Sequence, residues 1–121
     1  MSTTPEPIEI TLKKRSRRLV VRFADGFEAD LDAEYLRVHS PSAEVKGHSA
    51  GEGFLVTGKE NVAIERIEPV GRYAIRIVFD DGHKTGLYTW PILYELGRNR
   101  ERNWRRYLER LEKAGKARAK T

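Results

Sequence analysis

The first third of the chain alternates hydrophobic and polar residues, which is the pattern of strands that bury one face. The alternating hydrophobic positions are Ile8, Ile10, Leu12, Leu19, Val21, Phe23, Phe27, Ala29 and Leu31. They predict three strands. Asp25 and Gly26 separate the last two and can adopt the positive φ of a tight turn, which favours a hairpin. Asp32 follows and is a suitable N-cap for a short helix through Arg37.

The same order of elements recurs further along the chain. Residues 62–67 predict a strand, and residues 73–88 predict a second hairpin around an Asp-Asp-Gly turn at 80–82. Thr89 is a candidate N-cap for a helix, and Pro91 is compatible with its first turn. The Phe-x-Asp-Gly turns of the two hairpins are 56 residues apart. Either a duplicated unit or two independent hairpins of similar design would explain this repetition.

The C-terminal segment has helical periodicity. Its apolar positions and one arginine recur at three- and four-residue steps: Leu93, Leu96, Arg100, Trp104, Tyr107, Leu108 and Leu111. Gly97 is expected to divide the segment into a short and a longer helix, with Asn99 as a candidate cap and Gly115 as the end of the second.

These elements predict an α+β fold, mainly an antiparallel β-sheet built from two hairpins with C-terminal helices packed against it. Residues 8–114 are expected to form one domain. Residues 1–7, which are polar and contain two prolines, are expected to be disordered, and residues 115–121 to form a basic tail.

Composition narrows the function classes. The 121 residues include no cysteine, so disulfides, cysteine-based zinc sites and iron–sulfur ligation by this chain are excluded. No apolar run approaches the roughly 20 residues of a membrane helix. The N-terminal residues lack the basic-then-apolar order of a secretory signal. A cytoplasmic protein without a membrane association is therefore expected.

The net charge of +5 is unevenly distributed. Residues 98–121 carry ten basic and three acidic side chains, whereas the preceding 97 residues carry 13 basic and 15 acidic ones. A nucleic-acid-binding function through the basic segment from Arg98 to Lys120 is therefore one alternative, because basic helical faces can bind phosphate backbones. No helix-turn-helix, ribonucleoprotein or zinc-finger signature accompanies this segment.

Two motifs suggest enzymatic chemistry only superficially. Residues 53–60 approach a phosphate-binding loop, but Glu60 replaces the required Ser or Thr and no helix is predicted next, so a strand and turn are expected here instead. His83 follows Asp81 at a hairpin tip, and such a pair can act in acid–base catalysis. A small enzyme that uses His83 and Asp81 is thus another alternative, although no nucleophile or third orienting group is recognisable.

Three segments of the chain, residues 36–44, 64–75 and 79–90, together resemble one family. It is the gamma-butyrobetaine hydroxylase-like N-terminal domain in its bacterial stand-alone form, also called domain of unknown function 971. The resemblance covers roughly residues 8–113. Similar domains precede an iron- and 2-oxoglutarate-dependent catalytic domain or are fused to P-loop iron–sulfur scaffold proteins, which implies an accessory role in iron–sulfur assembly or beside oxygenases.

The resemblance also implies where a structural zinc would be held. In gamma-butyrobetaine hydroxylase the similar domain binds zinc through three cysteines and a histidine, and the match places these ligands at Ser40, Ser42, Val45 and His83. Because hydroxyls and a valine cannot replace thiolates in a tetrahedral site, we expect no zinc and no cofactor. The dioxygenase domain does not fit into 121 residues, so hydroxylase activity is not expected either.

The shared metal of the relatives implies that the turn after the first helix and the tip of the second hairpin lie side by side. Two interpretations remain open: a hydrogen-bonded staple in place of the metal, or a ligand-binding surface. The candidate binding residues at this place are Arg37, His39, Ser40, Ser42, Asp81, His83, Tyr88 and Trp90. The first function hypothesis is a non-catalytic accessory module that binds an unidentified protein partner, with no catalytic residue of its own.

Overall fold

A computed structural model describes residues 4–41 and 55–116. The elements form two consecutive units, each of three strands and a helix, followed by one further helix. The first unit contains β1 (Pro7–Lys13), β2 (Arg18–Phe23), β3 (Glu28–Asp32) and α1 (Ala33–Val38). The second contains β4 (Ile64–Val70), β5 (Ala74–Phe79), β6 (Gly86–Thr89) and α2 (Trp90–Arg98), and α3 (Arg100–Lys113) completes the described chain.

Each unit folds its strands into an antiparallel sheet in sequence order, β1-β2-β3 and β4-β5-β6. The predicted α+β class and both hairpins are confirmed. The buried core joins the inner faces of both sheets to α1 and α2, and its largest fully buried side chains are Tyr35, Tyr88, Phe23 and Phe79. None of the helices in the described ranges is both long and apolar enough to cross a bilayer.

The turns of the two hairpins have the same geometry. Asp25 Oδ1 accepts a hydrogen bond from the Phe27 N–H over 2.9 Å, and Asp81 Oδ1 accepts one from the His83 N–H over 3.0 Å. The glycine after each aspartate has a φ of +94° or +92°, a conformation that glycine adopts without steric penalty. The local sequence therefore determines both turns.

A helix of the opposite unit contacts each of these turns. Arg37 of α1, in the first unit, binds Asp81 in the second, and Tyr94 of α2, in the second unit, donates to Asp25 in the first over 2.6 Å. Each donor is the fifth residue after the N-cap of its helix. Because element order, turn geometry and this reciprocal contact all correspond, the structure favours a duplicated unit over two unrelated hairpins.

All three predicted N-cap residues stand at the starts of helices, and two of them make a capping hydrogen bond. The side chains of Asp32 and Thr89 accept hydrogen bonds from the amides three residues later, over 3.1 and 3.4 Å. Asn99 occupies the N-cap position of α3 but makes no capping hydrogen bond. Its side chain donates instead to Glu95 Oε2 over 2.7 Å, because the preceding helix ends directly beside it.

The C-terminal segment divides into a short and a longer helix as predicted, but the division falls at Asn99 and not at Gly97. The glycine does not end the helix. It lies inside α2, and a Cβ built on it would be 2.6 Å from the Cβ of Ala29 in β3. The glycine therefore allows α2 to pack closely on the first sheet, and the helix ends at Arg98 instead.

The segment expected to form a strand before Glu60 was predicted wrongly. Residues 55–60 have no regular secondary structure, and the strand begins at Ile64. The predicted disordered N-terminus and basic tail fall partly outside the described residues, although Pro7 already belongs to β1.

Candidate functional site

The residue that follows the C-cap of α1 lies against the tip of the β5–β6 hairpin. Ser40 Oγ and His83 Nε2 are 2.9 Å apart and form a hydrogen bond, although the residues are 43 positions apart in sequence. Both are buried, with 4% and 8% of their surfaces exposed. The contact that the resemblance implied between these two stretches is therefore present.

Asp81 is the charged centre of this contact. Its Oδ2 atom accepts a hydrogen bond from Arg37 Nε over 2.9 Å and lies 2.7 Å from Lys59 Nζ. Burial alone would raise the pKa of Asp81, but the hydrogen bonds from Lys59, the His83 N–H and Arg37 outweigh this effect and lower the pKa to about 2. The carboxylate is thus charged throughout the physiological range and is a poor general base.

The lowered pKa of Asp81 predicts acid-dependent stability. Since the folded-state pKa is below the ordinary value of 3.8, the charged carboxylate stabilises the fold above that value, and the contribution is lost as the pH falls towards 2. We expect Asp81→Asn to lower the free energy of unfolding by about 1–2 kcal/mol at pH 7 and by much less at pH 2. Urea denaturation at several pH values measures the difference.

Asp30 offers the matched control for this prediction, because its carboxylate pairs with Arg18 but is 54% exposed. Asp30→Asn should change stability by less than about 1 kcal/mol at either pH. Equal effects of the two substitutions at pH 7 would contradict the assigned role of Asp81.

Tyr88 and Gly86 cover the contact from β6. The Tyr88 hydroxyl donates to Leu36 O over 2.5 Å, and its side chain is fully buried. Burial raises the pKa of Tyr88, and Ser40 and the charge of Arg37 offset this only in part. A Cβ on Gly86 would lie 2.6 Å from Ser40 Oγ, so no side chain fits there. We call the resulting cluster the polar junction: Arg37, Ser40, Lys59, Asp81, His83 and Tyr88.

The donors of the polar junction do not fit the structural zinc site that the resemblance implies. His83 Nε2 is engaged by the Ser40 hydroxyl, and a hydroxyl is not one of the zinc ligands typical of structural sites. The described residues contain no cluster of three His, Asp or Glu that could hold a metal. Ser42 and Val45 lie outside the described residues.

Two predicted binding residues lie away from the polar junction. Trp90 follows the end of β6 that is remote from the hairpin tip, and its indole N–H donates to Arg72 O over 2.8 Å. His39 faces another neighbour, with Nδ1 2.9 Å from Tyr35 O. The structure therefore brings together Arg37, Ser40, Asp81, His83 and Tyr88, but not His39 or Trp90; Ser42 is outside the described residues.

His39 instead lines a cleft of about 410 Å³ between the end of α1, the segment at 55–56, α2 and α3. The apolar side chains that line the cleft are Val38, Pro41, Leu55, Val56, Ile92, Leu96 and Tyr107. The Tyr107 hydroxyl donates to Val56 O over 2.7 Å and fixes that segment to α3. The volume is within the range of ligand-binding clefts.

The described polar lining of the cleft is mainly basic. It consists of His39, Glu95, Arg102, Asn103, Arg106 and Arg110. Burial lowers the pKa of His39, and its hydrogen bond with Tyr35 O offsets this only in part, so the imidazole is mainly neutral at pH 7. Since Tyr35 O can only accept, Nδ1 carries the proton of the neutral ring, and Nε2 remains an acceptor.

Sequence reasoning did not identify Lys59 or the cleft. Lys59 belongs to the near match to a phosphate-binding loop at 53–60, and that lysine was the only available signal for it. The arginines of the cleft were recognised as part of a basic helical face, but no periodicity indicates that residues 55–56 would pack beside them.

Comparisons with known proteins agree with this architecture. Residues 10–94 match the model of a family described as "Gamma-butyrobetaine hydroxylase-like, N-terminal". Two proteins with NMR solution structures share 50% and 45% sequence identity with the chain, and each superposes on it with a TM-score of 0.83. Both alignments cover 98% of this chain. They cover 88% of the first protein and 95% of the second.

A third solved structure connects the chain to a family of unknown function. It is a 1.93 Å crystal structure of a protein from Acidithiobacillus ferrooxidans in the family of domain of unknown function 971. The two sequences are 38% identical, and the TM-score is 0.66. The alignment covers 80% of this chain and 98% of that one. No curated protein matches the chain. The chain therefore belongs to the gamma-butyrobetaine hydroxylase-like, N-terminal family.

Proposed function

We propose that this protein is a non-catalytic accessory module that binds another protein through the cleft between α1 and the C-terminal helices. The observation that carries the proposal is the cleft itself: an apolar floor with a mainly basic rim, about 410 Å³ in volume. Such a combination of apolar floor and few polar groups is typical of binding sites.

The polar junction supports a structural role rather than catalysis. Ser40 and His83 engage each other, and the Asp81 carboxylate is held by two cations. The corresponding aspartate of the first hairpin, Asp25, accepts a hydrogen bond from a tyrosine of α2. Because a helix of the other unit holds the turn aspartate in both cases, and the first turn contains no histidine, the polar junction is best explained as a packing contact.

Filling the cleft tests the proposed function. Val56 lines the cleft, so Val56→Trp should occupy its space, whereas Thr11→Trp adds the same bulk on the exposed face of the first sheet. In affinity capture from cells that naturally make the protein, we expect the unmodified chain and Thr11→Trp to retain the same defined protein partner after nuclease treatment. Val56→Trp should retain at least about tenfold less.

Two results would contradict the proposal. One is equal recovery of the partner by both tryptophan variants, which would place the interface elsewhere. The other is recovery that disappears with nuclease, which would favour the nucleic-acid alternative. Circular dichroism of each variant verifies that it is folded.

A further inference from the structure

The rim of the cleft carries a regular row of positive charge. Arg102, Arg106 and Arg110 are spaced four residues apart on α3, so successive positions lie about 6 Å apart and the row is about 12 Å long. Among the described lining residues the one carboxylate is Glu95, whose Oε2 is 3.7 Å from Arg102 Nη2. The row therefore attracts anions.

The spacing of this row matches that of an extended peptide. Alternate residues of a strand point to the same side and are separated by about 6.6–6.8 Å. Three acidic side chains at alternate positions would therefore face the three arginines in register. The intervening side chains would face away from the arginines.

An extended segment is also the thinner kind of occupant. A helix with its side chains is about 10–12 Å across, whereas a single extended segment can lie along the row of arginines in the open cleft with part of its surface left in solvent.

We infer that the cleft binds an extended segment of a partner protein that has acidic side chains at alternate positions and at least one apolar side chain against the floor. This inference rests on the proposed function and names the chemistry of the partner. Arg106 and Arg110 also have partners within the chain, so the attraction comes from the summed charge of the row rather than from vacant hydrogen bonds.

A nucleic-acid strand also presents regularly spaced negative charges, but it fits the surroundings less well. Most of the apolar side chains that line the cleft are aliphatic, among them Leu55, Val56 and Leu96. They suit the apolar side chains of a protein segment, whereas single strands bind largely by stacking their bases on aromatic rings, and besides His39 only Tyr107 offers a ring among the described lining residues. A protein segment is therefore favoured.

Titration with short peptides tests the inference. The probes are two five-residue peptides with blocked ends, one alternating glutamate and leucine and one alternating glutamine and leucine, together with a ten-nucleotide thymidine strand. In two-dimensional NMR at low salt, we expect the glutamate peptide to shift the amides of His39, Asn103 and Tyr107. It should bind about tenfold more tightly than the glutamine peptide and weaken as the salt rises.

A matched pair of charge reversals locates the site. Arg102 and Arg105 are on the same helix and similarly exposed, at 69% and 63%, but Arg102 lines the cleft and Arg105 does not. Arg102→Glu should weaken binding of the glutamate peptide about tenfold. Arg105→Glu should weaken it less than about twofold.

Three results would overturn the inference: equal affinities for the two peptides, equal effects of reversing Arg105 and Arg102, or tighter binding of the thymidine strand at the same amides. If neither peptide binds while Val56→Trp still abolishes capture of a protein partner, the inference fails but the proposed function stands. If the glutamate peptide binds the cleft while no partner is captured, the chemistry of the site is supported and the proposed function fails.

Discussion

Replacing Tyr35 by alanine should lower the free energy of unfolding by about 3–5 kcal/mol, as is typical for the loss of a fully buried aromatic ring. Tyr35 is 0% exposed, and its hydroxyl donates to Leu96 O over 2.6 Å and accepts from Asn103 Nδ2 over 3.1 Å. The side chain therefore joins α1 to both C-terminal helices, and its removal would leave a cavity beneath the cleft. Urea denaturation measures the effect.

Two further tyrosine substitutions divide this effect into its parts. Tyr35→Phe keeps the ring but leaves Leu96 O without the hydroxyl donor, so we expect a loss of about 1–2 kcal/mol. Tyr73 is 53% exposed, and Tyr73→Ala should change stability by less than about 1 kcal/mol. A value for Tyr35→Ala no larger than that for Tyr73→Ala would contradict the assigned role.

The second large effect is expected at the contact between β6 and the end of α1. Gly86→Ala should destabilise the protein by about 1–3 kcal/mol, since the new methyl group would be 2.6 Å from Ser40 Oγ and 3.0 Å from Tyr88 Cε1. The Ser40 hydroxyl cannot rotate away without breaking its hydrogen bond to His83. Chemical denaturation of the variant and the parent protein gives the difference.

A double-mutant cycle separates this clash from a general effect of the substitution. In a Ser40→Ala background the clashing oxygen is absent, so Gly86→Ala should be less destabilising by about 1 kcal/mol. Gly97→Ala, which meets Ala29 instead, should have the same effect in both backgrounds. Strict additivity of Ser40→Ala and Gly86→Ala would show that the two residues do not interact as described.

The parts of the fold that depend on neighbouring residues could be predicted from the sequence. The turn at Asp25 and Gly26 and the N-caps at Asp32 and Thr89 are local choices of backbone conformation, and all are found where predicted. Gly97 shows the limit of such reasoning: glycine can end a helix or permit a close approach, and only the position of Ala29 decides between them.

The candidate sites were predictable only in part, for a related reason. The contact of Ser40 with His83 was inferred from the family resemblance, since nothing local joins two residues 43 positions apart. Trp90 could have been excluded by geometry, because it lies four residues beyond the start of β6, about 13 Å further along the strand direction. The cleft depends on how α3 meets the segment at 55–56, which no sequence pattern records.

Each hairpin turn is held by a helix of the other unit, and this has a consequence for folding. The turn at Asp81 is held by Arg37, which lies 44 positions earlier in the sequence, and the turn at Asp25 is held by Tyr94, which lies 69 positions later. The amino-terminal half, as it leaves the ribosome, lacks the tyrosine that completes its own turn until α2 has been synthesised. We therefore expect the two halves to reach their final stability together, after α2 has been synthesised, rather than one after the other.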